Sequence, residues 1–206
     1  MVTIRTMKEQ QYTLDELRDI VRAGKAAEVF NIGDQLLIKF DGKEVPYDII
    51  GMDAEKLVNT EHKHSITIQA HELIEERPFD SKCSNVWRTS ELREYLSSEE
   101  YLKRYEDLVP YLAAVVKENS DGQDTEELFF VLSKEEYKEE TTPYPYYKKE
   151  INRVKAGEDG ETDWHWTRSA HRGYACITWH VSTSGGVSYY YYAYYASRCA
   201  PACVIA

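Results

Sequence analysis

The sequence predicts a mixed α+β domain whose helices are set apart from twisted antiparallel sheets. Three observations lead there. A capped amphipathic helix signal lies near the start, hairpin signals with alternating apolar residues follow it, and the last 43 residues are strand-rich with Gly and Ser turns. A chain of 206 residues and 24.0 kDa can close one core without staples, so 1–206 is taken as a single domain.

Thr13-Leu14-Asp15-Glu16 is a capping box, and Leu14, Leu17, Ile20 and Val21 recur at helical spacing up to Gly24, which predicts a helix over 14–23. Residues 33–40 and 45–52 read as strands joined by an Asp41-Gly42 turn, and 65–70 alternates as a third strand. Thr89-Ser90 offers caps for a helical middle in which Leu92, Tyr95, Leu96, Tyr101, Leu102, Tyr105 and Leu108 form the apolar face, ending at Pro110. Lys103, Arg104 and the acids between them read as a solvated face. Short buried strands are expected at 113–116 and 128–132, with a turn at 119–122 between them. Residues 141–160 read as a loop. Tail strands are expected at 164–169, 174–181, 187–192 and 202–205, with 182–186 as a hairpin loop. No internal repeat stands out.

The composition is that of a globular chain, 42% hydrophobic and 30% charged, with a net charge of −11. That balance argues against a nucleic-acid binder, which needs a basic face for phosphates. The charge is unevenly placed. Asp163 is the last acid; residues 1–163 hold 22 basic and all 36 acidic groups, a net of −14, whereas the tail from Trp164 holds three Arg and no Lys, Asp or Glu. Three of the four Trp, seven of the seventeen Tyr and three of the four Cys also fall in this tail.

No apolar run reaches the length of a membrane helix, and the first residues lack the apolar stretch of a signal peptide. The four Cys, at 83, 176, 199 and 203, form no Cys-x-x-Cys pair. The expectation is a free-thiol protein made in the cytoplasm, without membrane insertion. That origin is compatible with later carriage on a phage particle.

No catalytic or metal motif emerges, and no cofactor is implied. His62 and His64 read as solvated histidines; His71 beside Glu72 finds no partner; His165 reads as either surface or buried. Glu126-Glu127 and Glu139-Glu140 read as surface charge. Burial as small hydrophobes is preferred for Cys176, Cys199 and Cys203 over a thiol or copper site.

The run Tyr189-Tyr190-Tyr191-Tyr192-Ala193-Tyr194-Tyr195 is the most informative segment. On a strand it puts Tyr on both faces, and a core cannot satisfy that many phenol hydroxyls. Some rings must therefore be exposed, and Tyr with Ser, Gly and His is the composition of a recognition surface. A plain edge strand with packed aromatics is the competing interpretation. The genetic code adds to the first. Randomising the adenines of Asn codons never yields Lys, Glu, Gln, Met or Trp. The tail lacks Lys, Glu, Gln, Met and Asn. Trp164, Trp166 and Trp179 would then be fixed scaffold positions. The missing Asp, Phe and Leu do not follow from that scheme.

Several stretches resemble a domain of unknown function that recurs in gut bacteria and their phages. They are 22–26 (Arg-Ala-Gly-Lys-Ala), 30–34 (Phe-Asn-Ile-Gly-Asp), 87–96 (Trp-Arg-Thr-Ser-Glu-Leu-Arg-Glu-Tyr-Leu), 128–133, 166–169 (Trp-Thr-Arg-Ser) and the ending 200–205. The resemblance implies a C-type-lectin-like fold related to formylglycine-generating-enzyme-like domains. It also implies the variable protein of a diversity-generating retroelement, with 164–206 as the variable ligand-binding region. Under it the variable, ligand-binding candidates are Ala170, His171, Arg172, Tyr174, Tyr189, Tyr190, Tyr191, Tyr192, Tyr194, Tyr195 and Ser197. The framework candidates are Trp166, Arg168, Ser169, Trp179, Gly186 and the ending that includes Pro201 and Cys203. The calcium-ligating Glu-Pro-Asn and Trp-Asn-Asp runs of sugar-binding C-type lectins are absent, which argues against calcium-dependent sugar binding. The implied function is non-enzymatic binding of a protein or glycan on a cell surface. The alternatives are an enzyme on the same scaffold using Cys176, Cys199 or Cys203, and an assembly module that buries the tyrosines between subunits.

Overall fold

The computed structural model describes residues 2–5 and 10–206. Two strands that the sequence does not announce, β1 (Val2–Arg5) and β2 (Gln10–Tyr12), precede α1 (Leu14–Arg22). Thr13 caps α1 as its signal requires. The Glu16 N–H donates to Thr13 Oγ1 at 3.1 Å, and the Glu16 carboxylate accepts from the Thr13 N–H at 2.7 Å. Leu17 and Val21 are fully buried beneath the helix. A second short helix, α2 (Ala26–Val29), follows.

β3 (Gln35–Phe40) and β4 (Lys43–Met52) form the expected hairpin. Asp41 (φ 49°) and Gly42 (φ 76°) both adopt the left-handed conformation that a two-residue hairpin loop needs. β5 (Ile66–Ala70) pairs with β4, and all five of its residues are buried. β6 (Glu75–Pro78) was not predicted; its side chains stay partly exposed and carry no alternation signal. The helical middle is two helices, α3 (Glu91–Leu96) and α4 (Glu99–Lys103), because Ser98 starts a new cap, its Oγ accepting from the Tyr101 N–H at 3.2 Å. Next come β7 (Val115–Lys117), β8 (Thr125–Glu127), β9 (Phe129–Phe130) and the four-residue α5 (Lys134–Tyr137). The tail supplies β10 (His165–Ala170), β11 (Ile177–Val181), β12 (Tyr189–Tyr192), β13 (Ala196–Cys199) and β14 (Ala202–Ile205).

The fold is mixed α+β and mostly sheet. Seven strands pair in the order β2-β1-β3-β4-β5-β14-β9, all antiparallel. Five pair in the order β12-β11-β10-β13-β6, and a two-stranded ribbon joins β7 to β8. The five-stranded sheet is not purely antiparallel: β13 runs parallel to β10. The tail thus feeds both large sheets, four strands to one and β14 to the other, between β5 and β9. Phe79, Trp87 and Trp166 meet in the core with ring centroids 5.7 to 5.9 Å apart, and Tyr47, Tyr101, Tyr105 and Phe129 form a second aromatic group.

Several expectations are corrected. Residues 141–160 are not simple loop: they contain two 3₁₀ turns and drive Tyr144 and Tyr147 fully into the core. Glu127 is not surface charge. It is buried, accepting from Trp87 Nε1 at 3.0 Å and Arg93 Nε at 2.7 Å, so its alternation along β8 turns it inward. Arg104 is half-buried, stacked 4.0 Å over the Phe40 ring and paired with Asp41 and Glu75. Cys83 and Cys176 are not free thiols: they form a disulfide, with Cα atoms 4.6 Å apart. Cys199 and Cys203 are free and buried. His71 has a partner in the buried Asp48, and His165 is fully buried. The expected strand over 174–181 begins only at Ile177, leaving Tyr174 in a turn.

Candidate binding face

The β11–β12 hairpin builds the face. Its register sets Trp179 opposite Tyr190, Ile177 opposite Tyr192 and Thr178 opposite Tyr191. Tyr190 and Tyr192 therefore share one side with Trp179, while Tyr191 shares the other with His180. The hairpin loop is closed by the Ser182 N–H to Gly186 C=O bond (2.9 Å) and by the Gly186 N–H to Ser182 Oγ bond (3.0 Å). Among the described residues β12 is the outer strand of its sheet, so no strand flanks its rings on the side away from β11.

Beyond β12 the chain buries Ala193 and turns, the Tyr195 N–H bonding to the Tyr192 carbonyl at 3.2 Å. That turn folds Tyr192, Tyr194 and Tyr195 onto one another, with centroid separations of 5.5, 6.1 and 4.4 Å; Tyr191 reaches Tyr195 at 5.1 Å. Tyr190, Tyr191, Tyr192, Tyr194, Tyr195 and Tyr174 are 40% to 64% exposed. Six large, partly solvated rings close together are unusual on a water-facing surface.

The β10–β11 loop is the second part. Here Asn85, which sequence reasoning missed, is the organiser. Its buried amide donates to the carbonyls of Tyr174 and Ile177 at 2.9 Å and of His171 at 3.3 Å. The Cys83–Cys176 disulfide ties the same loop to the same segment. His171 is oriented by the Gly173 N–H, which donates to its Nδ1 at 3.2 Å. Its ring lies 5.4 Å from Tyr174, 4.9 Å from Trp179 and 5.3 Å from Tyr190, which links loop and hairpin. Arg172 is exposed, and Ala170 is half-buried with its N–H donating to Ser120 Oγ at 3.1 Å. Ser197, half-buried on β13, donates to the Trp164 carbonyl at 3.3 Å and borders a cleft of about 300 Å³ that also touches Trp164, His180 and Tyr191.

The framework candidates lie behind this face. Trp166 is fully buried, donating from Nε1 to the Arg77 carbonyl at 2.9 Å, and Ser169, Pro201 and Cys203 are buried too. Gly186 is half-buried in the hairpin loop. Trp179 is only half-buried. It packs on the face itself, with Lys134 Nζ 3.0 Å from its ring centroid. Arg168 anchors a buried ion network. It pairs with Glu136, which also meets Lys117 Nζ at 3.2 Å; Lys117 in turn reaches Glu55 at 2.6 Å. Burial alone would raise the Glu136 carboxyl, but Arg168 and Lys117 outweigh it and hold it at about 2. This network floors a groove of about 850 Å³ beside the loop.

The arrangement can bind by covering rings and supplying adaptable Tyr and Ser hydroxyls. Among the described residues no set of three or more His, Cys, Asp or Glu converges as a metal site. The same residues include no helix long and apolar enough to cross a membrane.

A family profile described as a domain of unknown function, DUF6273, matches residues 63–206. The chain belongs to the DUF6273 family. The DUF6273 segment starts just before β5 and includes both parts of the face, the Asn85 clamp, the disulfide and the ion network apart from Glu55. No curated protein and no solved structure shows significant similarity to the chain.

Proposed function

We propose that this DUF6273 domain is a non-enzymatic binding module whose Tyr-rich face recognises a protein or glycan on a cell surface. The observation that carries this reading is two neighbouring groups of exposed rings at the sheet edge: Tyr191, Tyr192, Tyr194 and Tyr195 packed on one another, and Tyr190 continued through His171 to Tyr174. A Tyr ring offers a large contact area, one hydroxyl and few rotatable bonds, so covering six of them gives affinity at little entropic loss. The tail's missing residue types support the view that the face is diversified on a constant scaffold, as in the variable proteins of diversity-generating retroelements with C-type-lectin-like folds. The candidates fit that division in one respect. Arg172, Tyr174 and Tyr190–Tyr195 apart from Ala193 lie outward where described, while Trp166, Arg168, Ser169 and Cys203 lie inward. A phage receptor-binding element or a bacterial adhesin is the setting such a module suits.

Thiol chemistry gains no support from the cysteines. Cys176 is paired with Cys83, and burial raises the thiols of Cys199 and Cys203 far above their ordinary range.

The test is binding of labelled protein to gut bacterial cells and to protein and glycan arrays. The quadruple variant Y190S/Y192S/Y194S/Y195S should lose the binding while keeping the fold, read by circular dichroism. Unchanged binding by that variant overturns the recognition face. A stable oligomer that dissociates in the variant points instead to a subunit interface. Diversification has its own test: if the tyrosine codons align with no adenine-bearing template repeat near the gene, that part is wrong and a fixed binding face stands.

A further inference from the structure

The groove beside the face has a charge character opposite to the protein's. Its floor is the internally compensated network of Glu55, Lys117, Glu136 and Arg168. Above it stand Lys56, Lys134, Lys138 and Arg172, none of which has an ion-pair partner among the described residues. Among the described residues Glu118 and Glu135 are the only other charged groups lining the groove, so the rim is locally basic in a chain of net charge −11. Cations gathered at one opening without ion-pair partners set up a local positive potential that attracts an anion. Lys134 shows the strain. Burial and then neighbouring Lys138 lower its affinity for a proton, and it rests on the Trp179 ring for compensation.

The rim runs directly into the aromatic face. His171 and Arg172 line both this groove and an adjoining hollow of about 510 Å³ that Tyr174 also lines. Tyr190 is 5.3 Å from His171. A ligand with a flat apolar ring face and an anionic substituent would meet both features together. A pyranose uronate has this shape: its C–H face lies on a phenol ring and its carboxylate reaches a lysine or a guanidinium fork.

Resting on the recognition reading above, we infer that the groove and its flanking rings form a subsite for an anionic saccharide, with the carboxylate held by Arg172, Lys134 and Lys138 and the sugar ring against Tyr174 or Tyr190. The groove volume is in the range that accepts a short oligosaccharide.

Calorimetric titration of the oxidised 206-residue chain with a galacturonate trisaccharide at low ionic strength tests this. Saturable binding is expected, weakened by added salt. The neutral galactose trisaccharide and the charge-reversed K138E/R172E variant should each bind about tenfold or more weakly, the scale of losing two exposed charge contacts. Both substituted positions are solvent-accessible, and an unchanged melting curve confirms the variant's fold. Y190S, which keeps every cation, should also weaken binding. Absence of binding, equal binding of the neutral sugar, indifference to K138E/R172E, or equally tight binding of a glutamate oligopeptide each overturns the inference. Its failure is separable from that of the wider reading. If cells still bind through the tyrosines while the trisaccharide does not, only the ligand class is wrong.

Discussion

The Cys83–Cys176 disulfide is open to a quantitative test. It closes a chain segment with a sequence separation of 93, spanning α3, α4, the β7–β8 ribbon and β10. Constraining a loop of that length in the unfolded chain is worth about 4.6 kcal/mol at 25 °C in the chain-entropy account. Residual structure in the unfolded state reduces what is measured, so C83S/C176S should be less stable than the oxidised protein by about 2 to 5 kcal/mol. Urea unfolding followed by Trp fluorescence reads this, because Trp87 and Trp166 are buried and Trp179 half-buried. The midpoint should fall, and dithiothreitol should reproduce the shift in the wild type but not in the variant. The loop consequence is local. Asn85 still bonds the carbonyls of Tyr174 and Ile177, so the face should persist but loosen, weakening ligand binding more than the β3–β4 end of the molecule is disturbed. Two results refute the reasoning. One is titration of all four cysteine thiols in denatured, unreduced protein. The other is a stability difference within about 0.5 kcal/mol, the size of an ordinary surface substitution.

Three further outcomes follow from the same geometry. Glu136→Gln leaves Arg168 and Lys117 buried without their shared carboxylate and should destabilise by about 3 kcal/mol in urea unfolding, whereas Glu139→Gln on the exposed surface should change little. Stability should fall on acidification for two reasons of the same sign. Between pH 6.5 and about 3 the unfolded chain protonates His180 while burial keeps the folded one neutral. Between pH 4.5 and about 2 the folded Glu136 resists a proton that the unfolded chain accepts. His180→Phe should therefore flatten the stability profile between pH 6.5 and 4.5 by about one proton, or about 1.4 kcal/mol per pH unit, and an unchanged slope contradicts the buried neutral ring. Gly185 has φ +85°, and a Cβ there would lie 2.6 Å from the Glu150 carbonyl oxygen, so Gly185→Ala should lower stability by more than about 1 kcal/mol in thermal melts.

Local signals and long-range decisions divide cleanly in this chain. The Thr13–Glu16 box, the Asp41-Gly42 turn, the 65–70 alternation and the 202–205 strand are written in neighbouring residues, and each forms within a residue of where the pattern puts it. β6 and β13 have no such pattern. They exist because β13 lies between β10 and β6, a pairing set by residues some 120 positions apart. Tyr144 and Tyr147 sit in a Pro-rich stretch that reads as loop. Tyr144 goes inside because Glu55, Lys117 and the core are waiting there; its hydroxyl donates to Glu55 Oε1 at 2.5 Å. Glu127 is acidic among acids, and nothing nearby in sequence says that Trp87 and Arg93 will surround it.

The α+β class, the charge boundary at Asp163 and the need for some tail tyrosines to face water follow from the amino-acid order alone, because they depend only on composition and on the period of neighbouring side chains. Which rings meet, how Asn85 and the Cys83–Cys176 bond hold the His171–Tyr174 loop against the hairpin, and where unpaired cations gather beside it emerge from the folded contacts. The Asn85 bonds, the disulfide and the β13–β6 pairing join residues about 85 to 120 positions apart, and a local pattern carries no information about which distant partner will complete a charge, a hydrogen bond or a stack.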